Sequence, residues 1–454
     1  MRHGTAAIVR VQDVPDVLET LKPVGADVPA GLENACAVPG VRAFTSLTDP
    51  EVTLLVPAND EPEPEVTILI PAVNERITIE EFVQWCHQGL ADAGVKGEIL
   101  IVDGSTDETP ELALQGGARV LHTPLRGLGR AYIDSIPYVR GRYVVMGDAD
   151  CTYDFRNLKP FVDAMRNGTE YAMGSRWKGS IEKGAMPALH QYFGTPFTTW
   201  ILNRLYGSHF SDIHCGMRGI TRDALVRMGL VSQSWEYASE MVLKSVRMEL
   251  VTSEVPVTFL KDQEGRLSHH KRSGWFSPFA AAWINLRAMF IHGAEFFLFK
   301  PGVLLTVLGL LLSLPLSFGD ITIGKVHFSL LSMLVGVALV VIGLQSIYFG
   351  CLAHVFLDYG GRLRERWRRI FTYTKMMVIS GVLFTVGLAL TVVLLATFIS
   401  RDFTLPDPSS MVPHLGVLGL MLMIVGFSTF CFTLLLHATS VSYGPARADL
   451  SSDA

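Results

Sequence analysis

The 454-residue sequence lacks three features that would each point to a familiar class of protein. It has no excess of positive charge, because 38 lysines and arginines face 43 aspartates and glutamates, and this excludes the basic footprint of a nucleic-acid binder. Its first residues, MRHGTAAIVRVQDVPDV, lack the apolar core of a signal peptide. Its six cysteines have neither metal-site nor disulfide spacing. We therefore expect reduced thiols in a cytoplasm-facing protein with no nucleic-acid partner.

Long apolar runs are absent up to about residue 290 and frequent beyond it. The hydrophobic fraction of 49% is high for a soluble chain, so we expect a membrane protein. Four runs are long enough to cross about 30 Å of hydrocarbon, at about 296–318, 328–352, 376–399 and 412–437. The sequence thus predicts a soluble α/β domain over residues 66–267 and an all-α transmembrane domain over residues 294–440.

Positive charge is distributed unequally among the loops that join these spans. The loop between the second and third spans carries six cations: Arg362, Arg364, Arg366, Arg368, Arg369 and Lys375. The other two loops carry little more than Lys325 and Arg401. The positive-inside rule therefore predicts a multi-pass cell-membrane (inner or plasma membrane) protein whose soluble domain, C-terminal tail (441–454) and N-terminus are cytoplasmic.

Two similar apolar stretches compete for the first strand of the α/β domain. VTLLVPAND ends at Asp60 and VTILIPAVNE ends at Glu75, and between them runs an acidic, proline-containing stretch typical of a linker. We favour the second stretch, because only it is followed by a helix-like segment (78–90) and then by the next strand (98–102). This βαβ unit predicts a parallel sheet, and residues 1–65 are expected to be an N-terminal extension and linker.

The strongest chemical signal is the pair Asp148 and Asp150, directly after the apolar run Val144-Val145-Met146. Two carboxylates at the end of a buried strand lie where parallel sheets bind ligands. Their oxygens suit a Mg²⁺ or Mn²⁺ ion that keeps other positions for water and substrate phosphates. Carboxylates in such a place are costly without a cation, so we expect this pair to be functional rather than an ordinary polar turn.

Two further loops carry groups suited to a nucleotide. Asp103 ends the strand that precedes Gly104-Ser105-Thr106, and its carboxylate can accept hydrogen bonds from a base or ribose. Arg126 and Gly127 open the Gly-x-Gly loop of RGLGRA, which can bring backbone N–H groups and guanidiniums near a pyrophosphate. The third glycine of the dinucleotide fingerprint is missing, which argues against a Rossmann oxidoreductase.

Seven motifs follow one another between Val66 and Met289: PAVNE, DGSTD, RGLGRA, GDADCTYD, GSR, SDIHCGMR and WEYASEM. In this order they closely resemble the family-2 glycosyltransferases, specifically the branch that makes polyprenyl-phosphate sugars, such as dolichyl-phosphate hexose synthases. The resemblance implies a GT-A fold (α/β, Rossmann-like, mostly parallel sheet) and sugar transfer from a nucleotide donor.

The resemblance also implies roles for individual residues. Residues that would line the nucleoside are Pro71, Ala72, Glu75 and Asp103. Residues that would hold a metal on the donor pyrophosphate are Asp148 and Asp150. Arg176 and Arg218 would face phosphates, and Arg266 would lie close to the acceptor lipid phosphate. For both Arg176 and Arg218 a structural salt bridge is the alternative, and Glu236 and Glu240 are open between catalytic and helix-capping roles.

A basic stretch followed by an aromatic face precedes the first span. SHHKRS, which contains Lys271, adds a cation for the acceptor phosphate, and Phe276, Phe279, Trp283 and Phe290 follow at helical spacing. Residues 268–293 are therefore predicted to be an interfacial amphipathic helix. An ordinary amphipathic core helix is the alternative.

We thus expect an inverting, metal-dependent hexosyltransferase that moves a sugar from a UDP-glucose or GDP-mannose type donor to a polyprenyl phosphate. Its product would be a lipid-linked donor for envelope glycan or glycoprotein synthesis, and homo-oligomers are possible. Two alternatives stay open. A processive polysaccharide synthase would need the Gln-x-x-Arg-Trp motif, which this chain lacks, and a non-catalytic membrane scaffold would have no need of Asp148 and Asp150.

Overall fold

A computed structural model describes residues 21–24, 31–188, 190–263, 295–356, 362–404 and 406–442. The chain divides after Met289 into two compact units. In the described residues, the first unit is built around one large sheet and the second consists mainly of long apolar helices.

The first unit contains a ten-stranded sheet. In chain order its strands are β1 (Leu21–Pro23), β2 (Arg42–Ser46), β3 (Thr53–Val56), β4 (Val66–Ala72), β5 (Gly97–Asp103), β6 (Arg119–His122), β7 (Tyr143–Met146), β8 (Tyr171–Ile181), β9 (Arg218–Thr221) and β10 (Thr252–Phe259). Their order across the sheet is β1-β2-β3-β6-β5-β4-β7-β9-β8-β10. The chain moves from β4 to β5 on one side and later to β7 on the other, so β4 is the topological switch point.

Four central strands, β6, β5, β4 and β7, are parallel. Their residues are almost all buried, which agrees with the continuous apolar runs that parallel strands require. Antiparallel strands flank this centre: β3 pairs with β6, and β9 pairs with β7. The predicted α/β GT-A fold class is confirmed, with a parallel centre and antiparallel strands beside it.

Eight helices of the described residues belong to this unit: α1 (Glu33–Cys36), α2 (Ile79–Asp92), α3 (Thr109–Gln115), α4 (Leu128–Ser135), α5 (Lys159–Arg166), α6 (Thr195–Tyr206), α7 (Arg222–Met228) and α8 (Tyr237–Arg247). The helix α2 shows why they form. It buries Ile79, Phe82, Val83 and Cys86 at helical spacing, while Glu80 and Glu81 lie in its first turn. Helices α2, α3 and α4 each follow a parallel strand after a short loop, so these three loops lie at the same edge of the sheet.

The N-terminal segment differs from its prediction. Strands β2 and β3 come from residues 1–65, yet they form an antiparallel hairpin that joins the sheet beside β6. The acidic stretch after β3 is also held in place, because Asp60 receives two hydrogen bonds from Arg140 and Glu65 receives two from Arg166. The boundary predicted at residue 65 therefore does not separate a linker from the α/β domain. The hydrophobic pattern of VTLLV alone could not show that this stretch pairs with β6, at the side of the parallel strands.

Among its described residues, the second unit contains four helices long and apolar enough to cross a membrane. They are α9 (Lys300–Leu316, preceded by a π-helical turn, Glu295–Phe299), α10 (Leu330–Phe356), α12 (Tyr373–Ser400) and α13 (Met411–Ser442). They confirm the four predicted spans, with ends shifted by a few residues. A short hairpin of β11 (Ile321–Ile323) and β12 (Val326–Phe328) joins the first two helices, and the basic helix α11 (Arg362–Ile370) lies between the middle two.

Glycines allow close approach within two pairs of these helices. A Cβ atom on Gly309 of α9 would lie 2.6 Å from the carbonyl oxygen of Gly336 in α10. In the second pair, a Cβ on Gly387 of α12 would lie 2.6 Å from the carbonyl oxygen of Gly419 in α13. Small residues at such crossings let backbones meet without side chains between them, which is how helices associate in lipid.

Some predictions fall on residues that the structure does not describe. The interfacial segment predicted at 268–293 lies outside the described residues, as do Arg266, Lys271 and most of the tail predicted at 441–454. These expectations stay predictions.

The glycine crossings predict a clear difference between two substitutions. Gly309→Val should lower the stability of the protein by about 3 kcal/mol, because the added carbons meet backbone that cannot move aside. Gly381→Val is the matched control, since nothing lies within 4 Å of a Cβ at that helix position. Thermal unfolding of the two purified variants in one detergent would test this, and equal midpoints would contradict the close packing.

Candidate active site

A cavity of about 520 Å³ opens at the carboxyl ends of the parallel strands. Strand β4 supplies Pro71 and Ala72, the loop after it supplies Glu75, and Asp148 and Asp150 come from the end of β7. Residues 123–128, after β6, form a further part of the lining. The structure therefore brings together six of the seven residues predicted to bind the nucleotide sugar, which are Pro71, Ala72, Glu75, Arg126, Gly127 and Asp148. Asp150, the second metal candidate, lines the same cavity.

Hydrogen bonds tie the loops after β4 and β5 to each other. The backbone N–H of Asn74 donates a hydrogen bond to Ser105 Oγ at 2.7 Å, and the backbone N–H of Thr106 donates one to Asn74 Oδ1 at 2.9 Å. Asn74 adopts a left-handed backbone conformation (φ 56°), which asparagine tolerates better than most residues. The Glu75 amide donates to Thr109 Oγ1 at 3.0 Å, and Glu75 itself is 3% exposed. These bonds fix Glu75 in the cavity wall.

Asp103 is fully buried at the end of β5, between two cavity-lining neighbours, Val102 and Gly104. Its Oδ2 lies 3.2 Å from His122 Nδ1, and its Oδ1 has no hydrogen-bond partner. A buried acceptor without a donor is costly, and a ligand hydroxyl or amine would satisfy it. Asp103 itself does not line the cavity, so its predicted contact with a nucleoside stays a prediction.

The two metal candidates are held by different means. Asp150 Oδ1 accepts hydrogen bonds from the amide and the hydroxyl of Thr152, across a turn in which Cys151 has a left-handed conformation (φ 57°). Asp148 is packed against Gly216, where a Cβ atom would lie 2.6 Å from Asp148 Oδ2. A side chain at position 216 would collide with this carboxylate, so glycine is needed there.

The donor set limits the kind of metal site that would fit. Among the described residues there is no group of three or more His, Cys, Asp and Glu side chains arranged to hold a metal. Two carboxylates are sufficient for Mg²⁺ or Mn²⁺ when substrate phosphates and water supply the other ligands. The residues present thus fit a metal shared with a bound diphosphate and not an all-protein cage.

Three buried tyrosines lie near Asp148, and one of them, Tyr153, lines the cavity. Tyr132 donates its hydroxyl to the Gly147 carbonyl at 3.0 Å, and Tyr153 Oη accepts the Gly216 amide at 2.8 Å. The Tyr237 ring lies 4.7 Å from that of Tyr132. Burial raises the pKa of Tyr237 to about 12, and it also raises the pKa values of Tyr132 and Tyr153, so all three stay neutral at physiological pH. They give Asp148 a fixed, uncharged support.

The two arginines predicted to face phosphates are occupied by protein groups. Arg176 makes a two-bond ion pair with the fully buried Asp212 at 2.6 and 2.8 Å. Arg218 is 1% exposed, donates to the carbonyls of Cys215 and Ala238, and lies over the Tyr237 ring. Neither lines the cavity, so these contacts favour the structural alternative for both.

The Gly-x-Gly loop is shaped by protein backbone as well. Gly127 (φ 110°) precedes α4, and a Cβ there would lie 2.3 Å from the Gln233 carbonyl oxygen. A Cβ on Gly129 would lie 2.2 Å from the Ser232 carbonyl oxygen, and the Arg130 amide donates to Gln233 O at 3.0 Å. These glycines therefore admit the backbone of residues 232–234, a role different from the phosphate approach expected from the sequence.

Glu240 is the residue that holds this backbone. Its fully buried carboxylate accepts the amides of Val231 and Ser232, at 3.0 and 2.8 Å, and pairs with Lys244 one turn later on α8. Lys244 also donates to the Gly229 carbonyl at 2.7 Å. Glu240 is thus structural, a role that differs from both the catalytic and the helix-capping role left open for it. Glu236, the other candidate, does not line the cavity.

Several lining residues were not predicted. Trp235 and Ser234 line the cavity through the 232–235 segment, and Trp235 is 41% exposed. The WEYASEM motif marked this region, but tryptophan was not singled out from it. Phe259 and Asp262, at and beyond the end of β10, also line the cavity. No sequence signal connects them with the strand ends at β4 and β7, because only the sheet order makes them neighbours.

Comparisons with known proteins show the family to which this chain belongs. The family model for glycosyl transferase family 2 matches residues 67–229, and the family-2 C-terminal transmembrane region matches residues 351–440. A low-salt glycan biosynthesis hexosyltransferase, Agl6, of Haloferax volcanii is 33% identical over 358 residues, which cover 77% of this chain and 84% of the relative. The chain belongs to glycosyltransferase family 2.

Two other relatives of this glycosyltransferase come from the same organism. A glycosyltransferase named AglJ is 26% identical and covers 65% of this chain and 94% of the relative. A dolichyl-phosphate hexose transferase is 30% identical over 166 residues, covering 36% of this chain and 70% of the relative.

The buried pair in the glycosyltransferase predicts a strong loss of stability on substitution of one partner. Glu240→Gln should lower the free energy of unfolding by about 3–5 kcal/mol, because the Lys244 ammonium would stay buried without a carboxylate. Urea unfolding in detergent, followed by tryptophan fluorescence, would measure it. Glu240→Gln combined with Lys244→Met should recover most of the loss. If the single variant were as stable as the wild type, the pair would not hold the 229–232 backbone.

Proposed function

We propose that this chain is a membrane-bound, inverting hexosyltransferase that moves a sugar from a nucleotide donor to a polyprenyl phosphate. The observation that carries the proposal is the cavity at the carboxyl ends of β4, β5 and β7, lined by two adjacent metal-type carboxylates, in a chain that also has four membrane-length helices. The relative named as a dolichyl-phosphate hexose transferase supports the lipid phosphate as acceptor.

In this proposal the nucleoside lies against Pro71, Ala72 and Glu75, which line one side of the cavity. The buried Asp103 carboxylate, with its one oxygen lacking a partner, would accept a hydrogen bond from the base or ribose. Arg126 and Gly127 would border the diphosphate on the opposite side. The donor would be of the UDP-glucose or GDP-mannose type.

Asp148 and Asp150 would hold Mg²⁺ or Mn²⁺ against the donor diphosphate. When bound, such an ion supplies neutralisation of the negative charge that develops on the leaving nucleoside diphosphate. The protein's own part is to fix both carboxylates before the donor arrives. The Thr152 hydrogen bonds orient Asp150, while Gly216 leaves the space that the Asp148 carboxylate occupies.

The acceptor explains why the cavity needs no strong general base. A phosphate monoester has a second pKa of about 6, so its oxygen is largely anionic at neutral pH. That oxygen would form a bond to the anomeric carbon while the bond from this carbon to the diphosphate oxygen breaks, with inversion in one displacement. Catalysis would rest on in-line positioning and on stabilisation of the leaving group.

The acceptor phosphate would be met by Arg266 and Lys271, which lie outside the described residues. Arg176 and Arg218 would act at a distance, by holding the 212–218 segment that supplies Gly216. The cation-rich loop that contains α11 supports an orientation with the catalytic domain and both termini in the cytoplasm, in an inner or plasma membrane. The lipid-linked product would then serve envelope glycan or glycoprotein synthesis.

The purified protein in detergent should transfer label from one radiolabelled nucleotide sugar to undecaprenyl or dolichyl phosphate in the presence of Mg²⁺ or Mn²⁺. The label should appear in the lipid fraction and be lost with EDTA. Asp150→Asn should lower turnover on the order of a thousandfold, because several kcal/mol of leaving-group stabilisation would be removed.

Asp163→Asn is the matched control, since Asp163 pairs with Lys159 on the exposed face of α5 and should leave turnover unchanged. No labelled lipid from any donor, with a folded protein and accessible lipid, would contradict the proposal. Label in a polymer instead would favour a polysaccharide synthase, and full activity of Asp150→Asn would contradict the metal assignment.

Gly216→Ala should lower turnover about a hundredfold while the protein remains folded, because the new methyl group displaces the Asp148 carboxylate from its place. The same assay would measure it, with the metal concentration varied, and Gly381→Ala is the control because its Cβ position is open. Wild-type turnover in Gly216→Ala would show that the position of Asp148 is not critical.

A further inference from the structure

The turn between β2 and β3 lies upstream of the family-2 domain, which begins at residue 67, and it contacts the wall of the cavity. Its two acidic residues, Asp49 and Glu51, both reach Arg126. Asp49 Oδ2 lies 2.7 Å from Arg126 Nη1, and Glu51 Oε2 lies 2.7 Å from Arg126 Nη2. A segment outside the matched domain thus supplies two carboxylates to a residue that lines the candidate donor site.

The wall that Arg126 belongs to has no regular secondary structure. Residues 123–127 run irregularly from the end of β6 to the start of α4, and all of them line the cavity. At one end the Thr123 amide donates to Asp103 O at 2.8 Å, and at the other the Gly127 carbonyl accepts from Ala131 at 3.0 Å. Between these points, the ion pairs of Arg126 join the wall to the β2–β3 turn.

The turn itself is well fixed. The Asp49 amide donates to Ser46 Oγ at 3.3 Å, the Glu51 amide donates to Asp49 Oδ1 at 3.2 Å, and Val52 donates to the Asp49 carbonyl at 2.9 Å. The hydrogen bond from Arg126 lowers the pKa of Asp49, so its carboxylate stays ionised at neutral pH. The turn is therefore a rigid support for the guanidinium.

These contacts also change what Arg126 can do. With two carboxylates at 2.7 Å and Asp134 at 3.8 Å, its charge is already balanced by the protein. A guanidinium held in this way is poorly suited to serve as the main cation for a diphosphate, and it is well suited to anchor the loop that carries it.

We propose that Asp49 and Glu51 are positioning residues, which hold Arg126 and thereby keep the 123–127 wall in the shape that the donor nucleotide requires. We call the contacts of Asp49 and Glu51 with Arg126 the clamp, and these contacts rest on the structure alone. Their effect on donor binding rests on the proposed function. The carboxylates do not touch the reacting atoms, so they should affect donor affinity and leave the rate at saturating donor almost unchanged.

The partly exposed position of the clamp makes it testable without unfolding the protein. The side chains of Asp49, Glu51 and Arg126 are 34%, 69% and 29% exposed. Ion pairs with that exposure contribute little to global stability. A substitution should therefore change the local order of the wall while the unfolding midpoint stays near that of the wild type.

The first measurement is hydrogen exchange of the full-length protein in detergent without any ligand. In Asp49→Asn combined with Glu51→Gln, the hydrogen-bonded amides at the two ends of the wall, those of Thr123, Arg130 and Ala131, should exchange at least about tenfold faster than in the wild type. Glu65→Gln is the matched control, because Glu65 makes a similar two-bond pair with Arg166 away from the cavity. Unchanged exchange in the double variant would overturn the clamp.

The second measurement is calorimetric titration with UDP and with GDP, each with Mg²⁺. The double variant should bind the preferred nucleotide about tenfold more weakly, and it should raise the donor KM by a similar factor with kcat within about twofold of the wild type. Glu65→Gln should bind as the wild type does. Equal or tighter binding by the double variant would overturn the inference, because the carboxylates would then not favour donor binding.

The two measurements separate this inference from the proposed function. If wild-type protein bound neither nucleotide, the proposed function would fail, and the clamp would be decided by the exchange rates alone. If the wild type bound one nucleotide and the double variant lost affinity together with its unfolding midpoint, a general structural role would replace the positioning role.

Discussion

The proposed metal site needs two carboxylates at the end of a buried strand, and much of this unit can be understood from that requirement. Like charges at such a place are unfavourable unless each is held by its surroundings or meets a cation. Asp150 is oriented by Thr152, and Asp148 occupies the space that Gly216 leaves. The 212–218 segment that brings Gly216 into place is in turn held by two buried arginines.

A second buried ion pair supports the other side of the cavity. Glu240 and Lys244 hold the backbone of residues 229–232, and the segment that follows packs on Gly127 and Gly129 at the start of α4. The cavity is thus bordered by irregular loops whose positions depend on charges placed behind them. This arrangement explains why several conspicuous charged residues of the motifs point into the protein.

The sequence predicted the parts of the structure that depend on local pattern. The apolar runs ending at Ala72, Asp103 and Met146 are three of the four central parallel strands, and the four long apolar runs are the membrane-length helices. Residues at those strand ends line the cavity, as expected from the parallel arrangement. The partners of Arg126 and Arg176 could not be predicted, because each arginine meets carboxylates far along the chain whose proximity depends on the fold. Glu240 and Lys244 show the helical spacing of an ion pair, but spacing does not reveal burial.

The hairpin of β2 and β3 has a consequence for where the catalytic unit can be cut. Strand β6 is paired with β5 on one side and with β3 on the other. A chain that began at residue 67 would leave one edge of β6 with unpaired N–H and C=O groups along an apolar strand. Such an edge is a template for pairing with another molecule. The segment before the family domain therefore also protects this protein from aggregation through its own sheet.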